Sequence, residues 1–235
     1  MTLSSDWLNV AELRALIFDW DGTLADSVAN IVTAMHVAAD SIGLPRCTDI
    51  AVKNIIGLGL PEAIAALYPQ LKPAHVEELR AAYSQSYLRI EQQPSPLFAG
   101  VVAGLEAFRR QGFKLAVATG KSRRGLDRVL ATQGLSDFFD ATRCADETAS
   151  KPHPLMLEQI LAELNLSPSE AMMLGDSEFD LRMAAAAGVR SVAVGYGAQP
   201  REHLLRCAPE RCIDDFQEFC SWVLPQFGKQ TAIEA

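Results

Sequence analysis

Asp19-Trp20-Asp21-Gly22-Thr23-Leu24-Ala25-Asp26-Ser27 follows directly on a short apolar run, Ala15 to Phe18. An apolar run bounded by polar residues reads as a buried strand, and the carboxylates at Asp19 and Asp21 then stand at its C-terminal end. That is the edge at which open parallel α/β sheets bind ligands. Two acids so close repel each other and favour a divalent cation between them. Gly22 supplies the freedom for a bend after the second acid, and Asp26-Ser27 reads as the start of a helix.

The 235 residues are 49% hydrophobic, enough to bury a full core in one large domain or in a domain carrying an insertion. A net charge of -8 is the opposite of the Lys/Arg surplus that binds phosphate backbones, so no nucleic acid partner is expected. Met1 to Glu12 has no basic start followed by an apolar stretch, and no window approaches the ~20 apolar residues of a membrane helix. The expectation is a soluble, cytoplasmic protein that works away from membranes as a monomer or homodimer. Its five cysteines form no tight framework, which fits a reducing compartment. His203, Cys207 and Cys212 lack the Cys-x-x-Cys pair of a zinc site and read as a surface His and small buried hydrophobes.

From Lys114 onward strand and helix alternate. Apolar runs at Leu115–Ala118, Ala171–Leu174 and Ser191–Val194 predict strands, with a weaker one at Ala141–Ala145. Helices are predicted from Ser122 to Gly134, Pro154 to Asn165 and Glu178 to Ala187, with a last one around Asp215–Val223 before a frayed tail, Gln226 to Ala235. Repeated βα units imply a Rossmann-like parallel sheet with helices on both faces. The stretch between the first strand and Lys114 is too long for an ordinary crossover, which Val101–Arg110 already supplies. The surplus carries helical patterns at Ile31–Ile42, Thr48–Ile56, Pro61–Tyr68 and Pro73–Ile90. It reads as an inserted α-helical cap, residues 26–93, on a core of residues 1–25 and 94–235, hinged at Ala25–Ser27 and at Pro94, Pro96 and Gly100.

Three further polar clusters punctuate this pattern. Thr119-Gly120-Lys121-Ser122 lies between a strand and a helix, where a hydroxyl and free N–H groups make a phosphate cradle. Ser150-Lys151-Pro152-His153-Pro154 carries an ammonium on a backbone stiffened by two prolines, placed to neutralise carboxylate and phosphoryl charge. His153 reads as a residue leading into the next helix. Gly175-Asp176-Ser177-Glu178-Phe179-Asp180 puts Asp176 at a strand end equivalent to that of Asp19, so the two acids can share a hard, oxygen-seeking cation. Ser177-x-x-Asp180 also has the form of a capping box.

Asp-x-Asp-Gly-Thr followed in this order by the Thr, Lys-Pro and Gly-Asp clusters resembles the motifs of the haloacid dehalogenase-like phosphohydrolases, nearest to phosphoglycolate phosphatase-like members with an inserted helical cap. The resemblance covers nearly the whole chain. It departs at Gly120, where an Asn often follows the Thr, at Trp20, bulkier than the usual aliphatic residue, and at Glu178-Phe179, which replaces a commoner polar pair. What it implies is Mg²⁺-dependent hydrolysis of a small phosphate monoester, a phosphorylated metabolite, through an aspartyl-phosphate intermediate. Asp19 would be the nucleophile, Asp21 the general acid/base and Lys151 the catalytic cation. Thr119 and Gly120 would bind phosphoryl oxygens; Asp19, the backbone oxygen of Asp21, and Asp176 would hold Mg²⁺, with Asp180 acting through water or by orienting a partner. Selection of the leaving group would fall to the cap, with Lys53 and the Gly57-Leu58-Gly59 turn, Leu58 and Gly59 above all, as candidate specificity residues. Pyrophosphatases and phosphomutases share the same acids, whereas a phosphate-sensing regulatory protein would need the cradle without an intact acid pair. A dehalogenase of this fold would dispense with Asp21 and the metal.

Overall fold

The computed structural model describes residues 12–230, with side chains as far as Leu224. In chain order the elements are β1 (Ala15–Phe18), α1 (Val28–Ser41), α2 (Asp49–Lys53), α3 (Leu60–Leu67), α4 (Pro73–Ile90), α5 (Val101–Arg110), β2 (Lys114–Thr119), α6 (Arg123–Thr132), β3 (Ala141–Cys144), α7 (Leu155–Leu164), β4 (Ala171–Gly175), α8 (Glu178–Ala186), β5 (Arg190–Val194), α9 (Arg201–Leu204), β6 (Arg211–Ile213) and α10 (Phe216–Gln230).

The strands form one parallel sheet in the order β3-β2-β1-β4-β5-β6. Because successive side chains on a strand point to opposite faces, each apolar strand feeds two cores. Leu16 and Phe18, Leu115 and Val117, and Met172 and Leu174 meet Phe108 of α5, Leu126 of α6 and Phe216 and Phe219 of α10 on one face. Ala15 and Ile17, Ala116 and Ala118, and Ala171 and Met173 meet α7 and α8 on the other. This is the Rossmann-like, three-layer arrangement expected from the βα repeats. Phe18 lies level with Val117 on one neighbour and Leu174 on the other. The segments leaving β1, β2 and β4 therefore emerge side by side, at the point where the strand order reverses direction.

Helices α1 to α4 lie between β1 and α5 and enclose an apolar cluster of their own, including Ile31, Met35, Val52, Ile64 and Leu79. The two chain segments joining them to the sheet pair with each other. Asp26 N–H donates to the Pro96 carbonyl at 2.9 Å, and Phe98 N–H to that of Leu24 at 2.9 Å.

Several boundaries differ from the sequence reading. β6 was not expected; it has three residues, one an arginine, too little apolar sequence to register as a run. α2 ends at Lys53 rather than Ile56, because the chain tightens into successive turn bonds ahead of Gly57, whose φ of +106° no helix adopts. α10 continues to Gln230, through part of the expected tail; Pro225 removes one backbone donor without ending it. The rest of that tail, and the N-terminal stretch before Glu12, lie outside the described residues.

Phe108 is wholly buried and touches the rings of Phe113, Phe216 and Phe219, with centroids 5.4 to 6.4 Å apart. Phe108→Ala is expected to destabilise the protein by about 3–5 kcal/mol, read by chemical denaturation. A loss below about 1 kcal/mol would mean that α5 and α10 are not locked together through this ring.

Candidate active site

Past Phe18 the chain keeps its place in the sheet for one more residue: Asp19 N–H donates to the Leu174 carbonyl at 2.9 Å. This aims the Asp19 carboxylate out of the strand end, where Lys151 meets it. Lys151 Nζ lies 2.7 Å from Asp19 Oδ1 and 2.6 Å from Asp180 Oδ1, and all three side chains are buried. Both Asp180 oxygens are engaged, since the other one accepts from the Ser177 N–H at 3.2 Å and the Ser177 hydroxyl at 2.6 Å. Asp176, at the end of β4, accepts the Ala198 N–H at 2.6 Å through Oδ2. Oxygens of Asp19, Asp176 and Asp180 lie within 4.8 Å of one another, and Asp19 Oδ2 and Asp176 Oδ1 are buried without a hydrogen-bond partner.

The backbone makes room for this cluster with glycine. Gly22 has a φ of +79°, and a Cβ there would collide with the Asp176 carboxylate. Gly197 faces the same acid just as closely.

Electrostatically the cluster is short of positive charge. Burial, then the neighbouring Asp180 and Asp21, outweigh the pull of Lys151 and raise the Asp19 carboxyl to about 7. Burial, followed by Asp19 and Asp180, also raises that of Asp176 well above the carboxylate range. Lys151 moves the opposite way from a lone buried amine: burial alone would lower its pKa, but Asp180 and Asp19 raise it, so it stays charged.

Asp21 stands slightly apart. Its Oδ1 accepts the Ser27 hydroxyl at 2.6 Å and lies 3.1 Å from Lys121 Nζ. Thr119 is buried at the end of β2, and its hydroxyl accepts the Lys121 N–H at 3.2 Å. Asp19, Asp21 and Gly120 line a cleft of about 420 Å³ between the sheet and α1 to α4. Gly57, Leu58 and Gly59 form part of its wall: Gly59 N–H donates to the Ser150 hydroxyl at 2.8 Å, and a Cβ on Gly120 would strike the carbonyls of Gly57 and Leu58. The glycine that stands in place of the expected Asn is thus what lets this turn rest on the loop after β2. Lys53 is exposed at the end of α2 and does not line the cleft. His153 Nδ1 accepts the Leu155 N–H at 3.2 Å, as a residue leading into α7 should. Among the described residues, His203, Cys207 and Cys212 do not converge as a metal-binding group.

Sequence reasoning missed Ser27 as a partner of Asp21, the loop Gly197–Ala198 behind Asp176, and Lys121 as a neighbour of the acid pair. Lys121 sits inside the quoted Thr119–Ser122 cluster, so a charged residue beside a phosphate loop was the available signal. Tyr87 and Glu91, which also approach Lys121, carry no local signal at all.

Known proteins resemble this chain in sequence and in fold. The sequence profile of the haloacid dehalogenase-like hydrolases matches residues 16–194. The chain is similar to the probable phosphatase IndB of Dickeya dadantii, 33% identical with 86% of this chain and 90% of that protein covered. It is also similar to a phosphoglycolate phosphatase of Pectobacterium atrosepticum, 32% identical with 94% of each covered. Among solved structures, a predicted phosphoglycolate phosphatase from Haemophilus somnus superposes with a TM-score of 0.80 at 25% identity, covering 89% of this chain and 97% of that one. With the profile spanning most of its length over this fold, the chain belongs to the haloacid dehalogenase-like hydrolase family.

Proposed function

We propose that the protein is a Mg²⁺-dependent phosphatase that hydrolyses a small phosphate monoester through a phosphoryl group carried on Asp19. The observation that carries this reading is the pairing of Lys151 with Asp19 at 2.7 Å, beside two buried carboxylate oxygens, Asp19 Oδ2 and Asp176 Oδ1, that lack any donor. Buried acceptors without partners cost free energy unless something takes them up, and an all-oxygen set suits a hard cation. The residues fit Mg²⁺: Asp19, Asp176 and the Asp21 backbone carbonyl would hold it. Asp180, both of whose oxygens are engaged, would orient Lys151 instead. When bound, the ion supplies positive charge against the phosphoryl oxygens.

The side chains divide the remaining work. An Asp19 oxygen attacks phosphorus, the bond from phosphorus to the ester oxygen breaks, and Asp21 delivers the proton that this leaving oxygen needs. Asp21 then takes a proton from water, which attacks the acyl phosphate, releases inorganic phosphate and restores Asp19. Lys151 offsets the repulsion between anionic nucleophile and anionic ester, about 4 kcal/mol per charge pair at ~4 Å and an effective dielectric near 20. The Thr119 hydroxyl and Gly120 N–H cradle the phosphoryl oxygens.

Residues 26–93 act as a cap over a core of residues 1–25 and 94–235. This division is supported by the separate apolar cluster of α1 to α4 and by the paired crossing segments. Leu58 and Gly59 then wall the site of the leaving group. The relatives named phosphoglycolate phosphatase favour a small phosphorylated metabolite as substrate. Among the described residues no helix is long and apolar enough to cross a membrane, and the reading places the reaction in the cytoplasm.

Phosphate release from p-nitrophenyl phosphate and phosphoglycolate is expected to require Mg²⁺ and to stop on adding chelator. Asp19→Asn should lower turnover by ~10³-fold or more, and Asp21→Asn by about 10² to 10⁴. Substantial activity in Asp19→Asn would overturn the nucleophile assignment. A second expectation follows from the raised carboxyls. Asp19 titrates near 7 in the folded protein against 3.8 ordinarily, so the folded state holds more protons than the unfolded one between those values. Without metal, stability therefore falls as pH rises through that window, and Mg²⁺ displaces those protons as it binds. Saturating Mg²⁺ should raise Tm more at about pH 8 than at about pH 5.5; equal gains at both would contradict the metal site.

A further inference from the structure

Lys121 leaves the loop after β2 and is nearly buried, its side chain 9% exposed. Its Nζ lies 3.1 Å from Asp21 Oδ1, 3.2 Å from the Tyr87 hydroxyl and 3.9 Å from Glu91 Oε1, and 4.7 Å from the centre of the Tyr87 ring. Tyr87 belongs to α4 and Glu91 follows its last turn; Glu91 in turn pairs with Arg128 of α6 at 2.7 Å. Asp21, Lys121, Glu91 and Arg128 thus alternate in charge along a chain that starts beside the reacting centre, passes into the helical segment and returns to the sheet.

We propose that Lys121 is a positioning residue for Asp21, and that its hold depends on α4 being seated over the sheet. This rests on the reading of Asp21 as the general acid/base. Lys121 and Ser27 both reach the same oxygen, Oδ1, so turning the carboxylate breaks two polar contacts together and its other oxygen keeps a defined direction. Lys121 is itself held by the Tyr87 ring and hydroxyl and by Glu91, all from the helical segment. Withdrawing α4 removes those contacts and opens the ammonium to water, where its attraction to Asp21 is screened. Lys121 does not serve as a free cation for an acidic leaving group, because two carboxylates already flank it.

The discriminating readout is dependence on the leaving group. kcat/KM covers the steps up to phosphorylation of Asp19, in which an alkyl ester needs a proton from Asp21 and an acidic phenol scarcely does. Lys121→Met should lower kcat/KM for an alkyl ester by about 30-fold and for p-nitrophenyl phosphate by less than about threefold. The alkyl probe is phosphoglycolate, or propyl phosphate if the wild type refuses phosphoglycolate. Lys121→Arg should recover part of the loss. Equal loss on both esters, or none on either, overturns the proposal, the first by showing a purely structural role. Should the methionine variant not fold, Glu91→Gln reads the same coupling from the helical side, with the same contrast at about threefold and overturned by the same outcomes. Asp21→Asn is measured alongside: if it shows no such contrast, the reading of Asp21 fails, whereas a contrast there and none in the Lys121 and Glu91 variants refutes the role of Lys121 alone.

Discussion

Lys151 is buried with its ammonium between Asp19 and Asp180, while Asp176 lies against the same cluster. Three carboxylates and one amine held away from water are costly, and the cost is tolerable only where every oxygen finds a partner. Most do: Asp180 through Ser177, Asp176 through Ala198, Asp19 through Lys151. The two that do not, Asp19 Oδ2 and Asp176 Oδ1, belong to residues of the same acidic group. Much of the surrounding architecture follows from maintaining that imbalance. β1 and β4 must be neighbours so that their terminal acids converge, Gly22 and Gly197 must lack side chains so that Asp176 fits, and the loop before α7 must bury a lysine.

Function arises from the same imbalance. A site with surplus negative charge repels an anionic ester, so the attack by Asp19 that we propose would need compensating charge from Lys151 and from a bound cation. Asp21 is set apart from this cluster, tied to Ser27 and Lys121 instead of Lys151. Two acids only two positions apart, with Trp20 between them, thereby occupy different electrostatic surroundings, as the proposed division into nucleophile and proton carrier would require.

What could be read from the chain was whatever local pattern encodes. β1 matches its expected bounds and β4 extends one residue further, because each is an uninterrupted apolar run closed by Asp or Gly-Asp. Asp19, Lys151, Asp176 and Asp180 were legible because each sits in a short motif beside such a run, and the parallel order of strands brings them together. β6 was not, being three residues at the sheet edge with little apolar content. Nor was the approach of Tyr87 and Glu91 to Lys121, a contact between segments some thirty residues apart that no periodicity announces. Lys53, a candidate specificity residue by its charge, is presented to solvent at the end of α2.

The account stands on Asp19 carrying the phosphoryl group. Its most direct test is to mix the Asp21→Asn protein with Mg²⁺ and p-nitrophenyl phosphate, quench in acid and map the peptides by mass spectrometry. The account predicts a phosphoryl adduct on the peptide containing Asp19, located at that residue. An adduct on another side chain, or phosphate release by the wild type with no adduct in either protein, would contradict it.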